Sequence, residues 1–403
     1  MKEIINLLGK AKWLVGGNFV FAFSQWVILI LLARLTSQEN LGQYSLALAI
    51  ATPLFAISNL QLRPLYILDV NSQKKYTYSQ FYYLRIISSF LALTCCLIWG
   101  LTSNLSLWVL VLVSLLKFFE SYSDIIYAYY NAHDKTKLIS KSLFIKGLFS
   151  IVVVFIGLQY FDFHIALALF VSIYFLVWLF LDNLYILKNK EINSFNLNFS
   201  ILSSAIPMGI SLGIVALQST IPRLFLNKYS GIESVGVFTV LSYFIIVGSI
   251  FINSICQYLS PKITSAWNTN IVDFKKYLMI ALGISGILGI FAIILSVILG
   301  EYILDLIYGN SYTVYKKELV LIMCAGLALY LSTVLGYTLT AIGIIKQQIY
   351  LFLVLLTLTL LVSYFYIPNY GLTGGVYTLI ISYIFQGILA FSMIFFQLKG
   401  KQK

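Results

Sequence analysis

Charged residues are scarce in this chain of 403 residues: only 10% are Asp, Glu, Lys or Arg, whereas 60% are hydrophobic. A soluble domain carries roughly 25% charged residues, so folding in water would leave much apolar surface exposed. The composition therefore excludes a soluble enzyme and a disordered chain. It predicts an integral membrane protein, for which lipid is the solvent.

Histidine and cysteine are also rare. The two histidines, His133 and His164, lie far apart in sequence, and the four cysteines form no C-x-x-C pair. These counts argue against a zinc site and against histidine-based catalysis, and the cysteines are expected to be small buried residues. The sequence thus predicts no cofactor and no metal, and it does not favour an enzyme.

Long apolar runs fill most of the chain. A helix that crosses a bilayer needs roughly 20 mostly apolar residues. Twelve segments meet this requirement: 13–35, 41–61, 83–101, 105–129, 139–160, 164–187, 201–225, 235–258, 278–300, 319–341, 347–367 and 373–397. The sequence therefore predicts an all-α membrane protein with about twelve transmembrane helices.

A weak internal repeat divides these spans into two sets of six. At an offset of 194 residues, segment 39–45 (ENLGQYS) aligns with segment 233–239 (ESVGVFT). Repeats of this kind are typical of transporters, whose substrate sites lie between the repeats. We expect two six-helix bundles around a central cavity, formed by residues 1–195 and 196–403.

The basic residues are distributed unevenly along this topology. Most of the 26 Lys and Arg residues fall on the side of the membrane that holds both termini. The positive-inside rule then places both termini in the cytoplasm. The net charge of +12 is therefore explained by topology and by an anionic inner leaflet, and nucleic acid is not predicted as a partner.

Several short segments appear in the order found in one family of membrane proteins. They are Leu32-Ala33-Arg34-Leu35, Glu39-Asn40-Leu41-Gly42-Gln43-Tyr44, Asn59-Leu60-Gln61-Leu62-Arg63, Ile221-Pro222-Arg223, Gly236-Val237-Phe238, Ser260-Pro261-Lys262-Ile263, Leu306-Ile307-Tyr308-Gly309 and Pro368-Asn369-Tyr370-Gly371-Leu372-Thr373-Gly374-Gly375. With twelve spans, this set resembles the Wzx-like polysaccharide-biosynthesis flippases of the multidrug/oligosaccharidyl-lipid/polysaccharide exporter superfamily.

The resemblance implies a flippase in the bacterial inner membrane. Its substrate would be an undecaprenyl-pyrophosphate-linked oligosaccharide, an O-antigen or capsule repeat unit. Two six-helix lobes would expose the substrate to each side alternately, often with coupling to an ion gradient. Functional contact with a polysaccharide polymerase and a chain-length regulator would follow.

The fourth span carries three charges on one helical face. Lys117, Glu120 and Asp124 recur at i, i+3 and i+7, and Lys117 falls near the predicted midplane. Charges at this depth are costly and normally serve a function. We predict that Lys117 binds substrate phosphate and that Glu120 or Asp124 exchanges a proton or Na⁺. The alternative is that Lys117 and Glu120 form a purely structural ion pair.

Four arginines lie near span ends. Arg63 and Arg85 are on the cytoplasmic side, and Arg34 and Arg223 are on the outer side. A guanidinium group matches the geometry of phosphate oxygens, and the resembled family uses cavity arginines in this way. The alternative is that these side chains extend to the membrane surface.

Uncharged polar residues also occur within spans. They are Asn18, Gln25, Asn59, Gln61, Gln218, Ser249, Asn253 and Gln257. These are candidates for sugar contacts, and the last three form a stripe on the eighth span. The alternative is hydrogen bonding between helices.

Two other functions fit the predicted topology. A multidrug or cation antiporter of the same superfamily would favour an acidic cavity with few cations. A membrane polysaccharide polymerase or ligase would need catalytic groups in an outer loop, but the longest outer segment, 300–318, contains no histidine or arginine. Both alternatives remain open, and the flippase is favoured.

Overall fold

The computed structural model describes residues 2–72, 75–102, 105–184, 186 and 197–401. Within these ranges every regular element is a helix, which confirms the predicted all-α class. The proposed lobe boundary at 195/196 lies outside the described residues.

Among the described residues, eight helices precede residue 231. They are α1 (Lys2–Leu35), α2 (Gln38–Ser58), α3 (Leu62–Ser72), α4 (Tyr78–Thr102), α5 (Leu107–Ala132), α6 (Thr136–Tyr160), α7 (Phe163–Val177) and α8 (Leu202–Ser230). A π-helical turn, Trp178–Asn183, extends α7, and a 3-10 turn, Phe199–Ile201, precedes α8.

Four helices complete the chain. They are α9 (Ile232–Thr269), α10 (Ile271–Tyr308), α11 (Lys316–Ala341) and α12 (Ile345–Lys401), with a 3-10 turn, Asn310–Tyr315, before α11. Helix α12 is interrupted at Gly371, where φ is 54° and ψ is −129°. Residues other than glycine rarely adopt this backbone conformation, because their Cβ atom is in the way. Glycine therefore permits the break between the predicted spans 347–367 and 373–397.

Ten helical segments of the described chain are long and apolar enough to cross a membrane. One of them, Gln347–Lys401, has 55 residues and would extend about 80 Å at 1.5 Å per residue, far beyond a hydrocarbon core of about 30 Å. Together with the break at Gly371, this length indicates two crossings. Helix α5 is not among the ten, although it forms one continuous helix of 26 residues. The protein is thus a multi-pass membrane protein.

Two compact units make up the chain, Met1–Ala216 and Leu217–Lys403. In the first unit, α5 packs against α2, α3, α4 and α7, and α1 lies along α6. In the second, α11 packs against α9, α10 and α12. Each unit is therefore organised around one central helix. The central helix of the first unit contains charged residues in its middle, whereas the charges of α11 all lie in its first turn.

The sequence repeat corresponds to equivalent helix starts. Helix α2 begins at Gln38 and α9 begins at Ile232, and these starts are separated by the repeat offset of 194. Each helix has a glutamate in its first turn, Glu39 or Glu233, where the helix dipole favours a negative charge. The repeated sequence pattern thus marks the start of a helix in each unit.

Candidate functional site

A cavity of about 420 Å³ lies inside the first unit. Helices α1 to α8 all contribute to its wall. The lining residues are Asn18, Phe21, Thr52, Phe55, Ala56, Asn59, Gln61, Arg63, Pro64, Arg85, Lys117, Glu120, Ser121, Ser123, Asp124, Tyr127, Leu143, Lys146, Tyr174 and Leu212. The cavity therefore combines an apolar wall with a cluster of charged and hydroxyl groups.

Helix α5 supplies one polar face of the cavity. The helical period places four of its residues on one side. All four line the cavity: Lys117, Glu120, Ser121 and Asp124. Because α5 is surrounded by other helices, these groups are held away from lipid. This explains how the most polar of the predicted spans can still cross the membrane.

Asp124 bridges two arginines. Its Oδ1 lies 3.2 Å from Arg63 Nη1, and its Oδ2 lies 3.1 Å from Arg85 Nη2. The two guanidinium groups come from different helices, α3 and α4, and meet at this one carboxylate. Each arginine thus has an anionic partner, as charges removed from water require, and the three groups together keep one net positive charge.

Arg85 is completely buried, with 0% of its side chain exposed. Besides Asp124, its guanidinium donates to Asn59 Oδ1 and to Ser121 Oγ, the latter at 3.4 Å. The Ser121 hydroxyl also donates to Asn59 Oδ1. Extension of Arg85 to the membrane surface, one of the two alternatives from the sequence, is therefore wrong, because its partners hold it inside the bundle.

A strained turn brings two of these groups together. Leu60 and Gln61 both have φ of 50°, a left-handed conformation that costs L residues about 1–2 kcal/mol each. The turn connects the end of α2 to the start of α3, so that Asn59 and Arg63 both reach the cavity. Gly209 of α8 packs against it, since a Cβ at Gly209 would lie 2.7 Å from the Ile57 carbonyl oxygen.

Lys117 and Glu120 form an ion pair of 2.8 Å. The Lys117 side chain is 24% exposed and that of Glu120 is 41% exposed. The pairing considered from the sequence is therefore present, but the pair is open to the cavity rather than sealed in the core. An entering anion can reach the Lys117 ammonium group.

A second ion pair lies deeper, between Lys146 and Asp182, at 2.9 Å. The two side chains are 2% and 1% exposed. Lys146 also donates to Ser123 Oγ at 2.5 Å and to Tyr127 OH at 3.1 Å. Asp182 accepts a 2.7 Å hydrogen bond from Ser123. Asp182 is thus paired with a basic residue inside the protein.

Sequence reasoning missed Lys146. Lys146 was one of the basic residues that the positive-inside argument placed on the cytoplasmic side, outside the membrane. In the structure it lies well inside α6 and is buried, so it is not a charge of the membrane surface. The available signal was its position within the apolar run from Ser142 to Tyr160, whereas a lysine that defines topology stands at the end of a span. Its carboxylate partner, Asp182, is on the π-helical turn, an irregularity often found at functional sites.

Cations outnumber carboxylates in the cavity wall. Among the described residues that line it, four are cations (Arg63, Arg85, Lys117 and Lys146) and two are carboxylates (Glu120 and Asp124). When Asp182, the partner of Lys146 outside the lining, is included, the cations still exceed the carboxylates by one. Such an excess gives a positive potential that attracts anions. Guanidinium and ammonium groups are also the usual protein ligands of phosphate.

The predicted uncharged residues of the first unit fall into two groups. Asn18, Asn59 and Gln61 line the cavity directly. Gln25 is not in the wall, but its Nε2 donates to the hydroxyl of Tyr174, which is, at 3.1 Å. Hydroxyl and amide groups of this kind can exchange hydrogen bonds with sugar hydroxyls.

The other predicted residues lie outside this cavity. Arg34 is exposed near the end of α1. In the second unit, Arg223 has the Tyr243 and Tyr383 hydroxyls as its electrostatic neighbours, and Gln218 is buried. Ser249 donates to the Ile246 carbonyl at 2.6 Å. The remaining two residues of the predicted stripe, Asn253 and Gln257, are half-buried and exposed.

Fold and site together define a polytopic helical membrane protein with a cationic cavity in its N-terminal unit. Its structure is similar to an inward-facing MATE-family multidrug resistance transporter of the MOP superfamily (TM-score 0.75, 13% identity, covering 94% of this chain and 95% of that one). It is also similar to the lipid II flippase MurJ in an inward closed conformation (TM-score 0.74, 14% identity, covering 94% and 87%). These likenesses establish the fold.

The family follows from sequence. Residues 7–267 match the model of the family described as polysaccharide biosynthesis protein, and this chain belongs to that family. The capsular polysaccharide biosynthesis protein CapF of Staphylococcus aureus is 28% identical over 374 residues, which are 91% of this chain and 93% of CapF. The resemblance noticed in the sequence is confirmed for family and fold.

Proposed function

We propose that the protein is a flippase that moves an undecaprenyl-pyrophosphate-linked oligosaccharide repeat unit from the cytoplasmic to the outer leaflet. The protein is a transporter and not an enzyme. The two units would expose the substrate alternately to the two sides of the membrane. The polyprenyl chain can remain in lipid while the pyrophosphate and sugars pass through the protein interior.

The cationic cavity is the observation that carries this proposal. A pyrophosphate that leaves water needs cations and hydrogen-bond donors in place of its hydration. Lys117, Arg63 and Arg85 provide these within the cavity, and Asn18 and Gln61 add amide groups that can contact sugars. A chain of the polysaccharide biosynthesis family with this cavity fits a lipid-linked glycan as substrate.

Asp124 suggests how binding is coupled to an ion gradient. In the structure its carboxylate occupies both arginines, so an incoming pyrophosphate has to displace it. The displaced carboxylate then has no cation partner, and binding of a proton or Na⁺ would neutralise it. Substrate and coupling ion would thus exchange at one position, while Glu120 and Lys117 could undergo a similar exchange nearby.

The same charges weigh against a cation antiporter. A cavity for cationic substrates needs uncompensated carboxylates, whereas Asp124 and Glu120 are both paired with cations here. The excess of positive charge in the wall would repel a cationic drug. The MATE-like fold of this protein therefore contains a site that favours anionic over cationic substrates.

Substitution of Lys117 by alanine tests the proposal. Transport should fall by at least tenfold, because the accessible cation of the wall is lost while the helix is kept. The measurement is translocation of a defined undecaprenyl-pyrophosphate-linked glycan in liposomes, with protein incorporation checked by immunoblotting. Lys317→Ala, an exposed lysine at the start of α11, is the matched control and should transport normally. Full activity of the Lys117 variant would refute its role in substrate binding.

We also propose that the protein lies in the bacterial inner membrane with both termini in the cytoplasm. The uneven distribution of Lys and Arg supports this orientation. A periplasm-active phosphatase fused after Lys403 should therefore be inactive, and one inserted at Asn310, in the turn before α11, should be active. The reverse pattern of activities would overturn the orientation.

A further inference from the structure

A groove of about 860 Å³ opens on the surface of the first unit between α1 and α6. Its floor and walls are formed by Gly16, Gly17 and Val20 of α1 and by Phe144 and Ile145 of α6. None of these residues takes part in the cationic cavity. Its size is within the range of roughly 300–1,000 Å³ that is usual for ligand sites.

Glycine makes the groove possible. The two helices touch beside it, because a Cβ at Gly17 would lie 2.8 Å from the Ser140 Cα, and Ser140 donates a 2.5 Å hydrogen bond to the Trp13 carbonyl. Next to this contact, a Cβ at Gly16 would meet no atom within 4 Å. The part of the groove beside Gly16, which we call the slot, is therefore open space and not a tight contact between helices.

One end of the groove is basic. Lys137 and Lys141, one turn apart on α6, are exposed and belong to its lining. The Lys137 ammonium lies 5.9 Å from the centroid of the Trp13 ring. Neither lysine has a carboxylate within salt-bridge distance among the described residues. The groove thus pairs an apolar slot with two cations that have no anionic partner in the part of the chain that the structure describes.

We propose that this groove binds an anionic phospholipid of the membrane, with one acyl chain in the glycine-floored slot and the headgroup phosphate on Lys137 and Lys141. Basic pockets between transmembrane helices on the cytoplasmic side are suited to anionic headgroups. Trp13 is the first residue of the apolar segment Trp13–Leu35, and tryptophans favour such span ends at the membrane interface. The slot provides the apolar surface that a hydrocarbon chain needs, and the charges complement the phosphate.

The bound lipid has a structural consequence. It lies against both α1 and α6, and α6 carries Lys146 of the cavity. A ligand that binds only the folded state stabilises that state. We therefore expect anionic lipid to raise the thermal stability of the first unit, whatever substrate the protein transports.

Native mass spectrometry of the whole protein in detergent tests the proposal. The probes are dioleoyl-phosphatidylglycerol and dioleoyl-phosphatidylcholine, which have identical chains and differ in headgroup charge. Wild-type protein should retain the phosphatidylglycerol preferentially and should melt at a higher temperature in its presence. The double variant Lys137→Gln/Lys141→Gln should bind it at least about tenfold more weakly.

A second variant examines the chain site separately. Gly16→Leu places an apolar side chain in the slot, where a Cβ meets no atom within 4 Å, and keeps both lysines, so it should lose both the retained lipid and the thermal shift. Gly286→Leu in α10, where a Cβ also meets no atom within 4 Å, and Lys275→Gln/Lys276→Gln, two exposed lysines of the same helix, are the matched controls and should bind as wild type.

Three results would overturn the proposal. Equal retention of the two lipids would show that charge plays no part. If the Gly16→Leu variant binds phosphatidylglycerol as wild type does, the slot holds no acyl chain and the two lysines only attract the headgroup at the surface. Displacement of phosphatidylglycerol by equimolar undecaprenyl phosphate would identify the polyprenyl carrier, and not membrane phospholipid, as the occupant. None of these readouts involves glycan transport, so failure of the proposed function would leave them unchanged.

Discussion

Replacement of Arg85 by alanine should reduce glycan translocation by at least 100-fold. The buried guanidinium contacts Asp124, Asn59 and Ser121 at once, and alanine removes one donor from each of them. Asp124 then keeps Arg63 as its remaining cation. Breaking a buried charge pair is destabilising, so thermal stability should fall as well. Translocation in liposomes and melting of the purified protein in detergent measure the two effects.

Two further variants separate binding from folding. Arg85→Lys keeps the charge, but one ammonium group cannot reproduce the planar guanidinium fork, so we expect partial stability and weak transport. Arg85→Ala combined with Asp124→Asn removes both charges. The double variant should recover stability without recovering transport. If it transports normally, Arg85 serves only to neutralise Asp124, and its role in receiving pyrophosphate is disproved.

Lys146→Met should destabilise the protein by about 3–5 kcal/mol, the usual cost of breaking a buried ion pair. It leaves the Asp182 carboxylate charged and buried, with Ser123 as its remaining side-chain donor. The free energy of unfolding, from denaturant titration in detergent, is the quantity to compare with that of wild type. The exposed Lys317→Met provides the control and should change stability by less than about 0.5 kcal/mol.

The double variant Lys146→Met/Asp182→Leu completes a mutant cycle. Because replacing a whole buried pair by apolar residues is often neutral, the double variant should be more stable than either single variant. We expect it to transport more slowly than wild type, since Lys146 also contributes positive charge to the cavity wall. Additive losses from the two substitutions would indicate that the residues do not act as a pair.

Asp124 and Lys117 illustrate the two kinds of charge in this cavity. Asp124 pairs with two arginines whose positions are set by separate helices, so its partners depend on how α3, α4 and α5 pack. Lys117 pairs with Glu120 on its own helix. The second pairing follows from local spacing and could be foreseen, whereas the first could not, because no local pattern specifies which helix end meets α5.

The sequence alone determined the class of this protein. Its low charge content requires lipid as solvent, and the lengths of its apolar runs give the spans, because a bilayer imposes a minimum length on each crossing helix. The charges of α5 also marked the helix face that lines the cavity, since charge near the membrane midplane is costly when it faces lipid. The repeat located the equivalent helix starts at Gln38 and Ile232.

Tertiary structure alone decided which charges meet. Arg85 stands near the end of an apolar span in sequence, where a basic residue usually reaches the membrane surface, and Lys146 lies several residues inside the predicted span 139–160. In the fold both are buried, because carboxylates from other elements, Asp124 and Asp182, lie within hydrogen-bond distance. Burial of a charge depends on partners that packing brings from distant positions in the chain, and hydropathy along one helix does not contain that information.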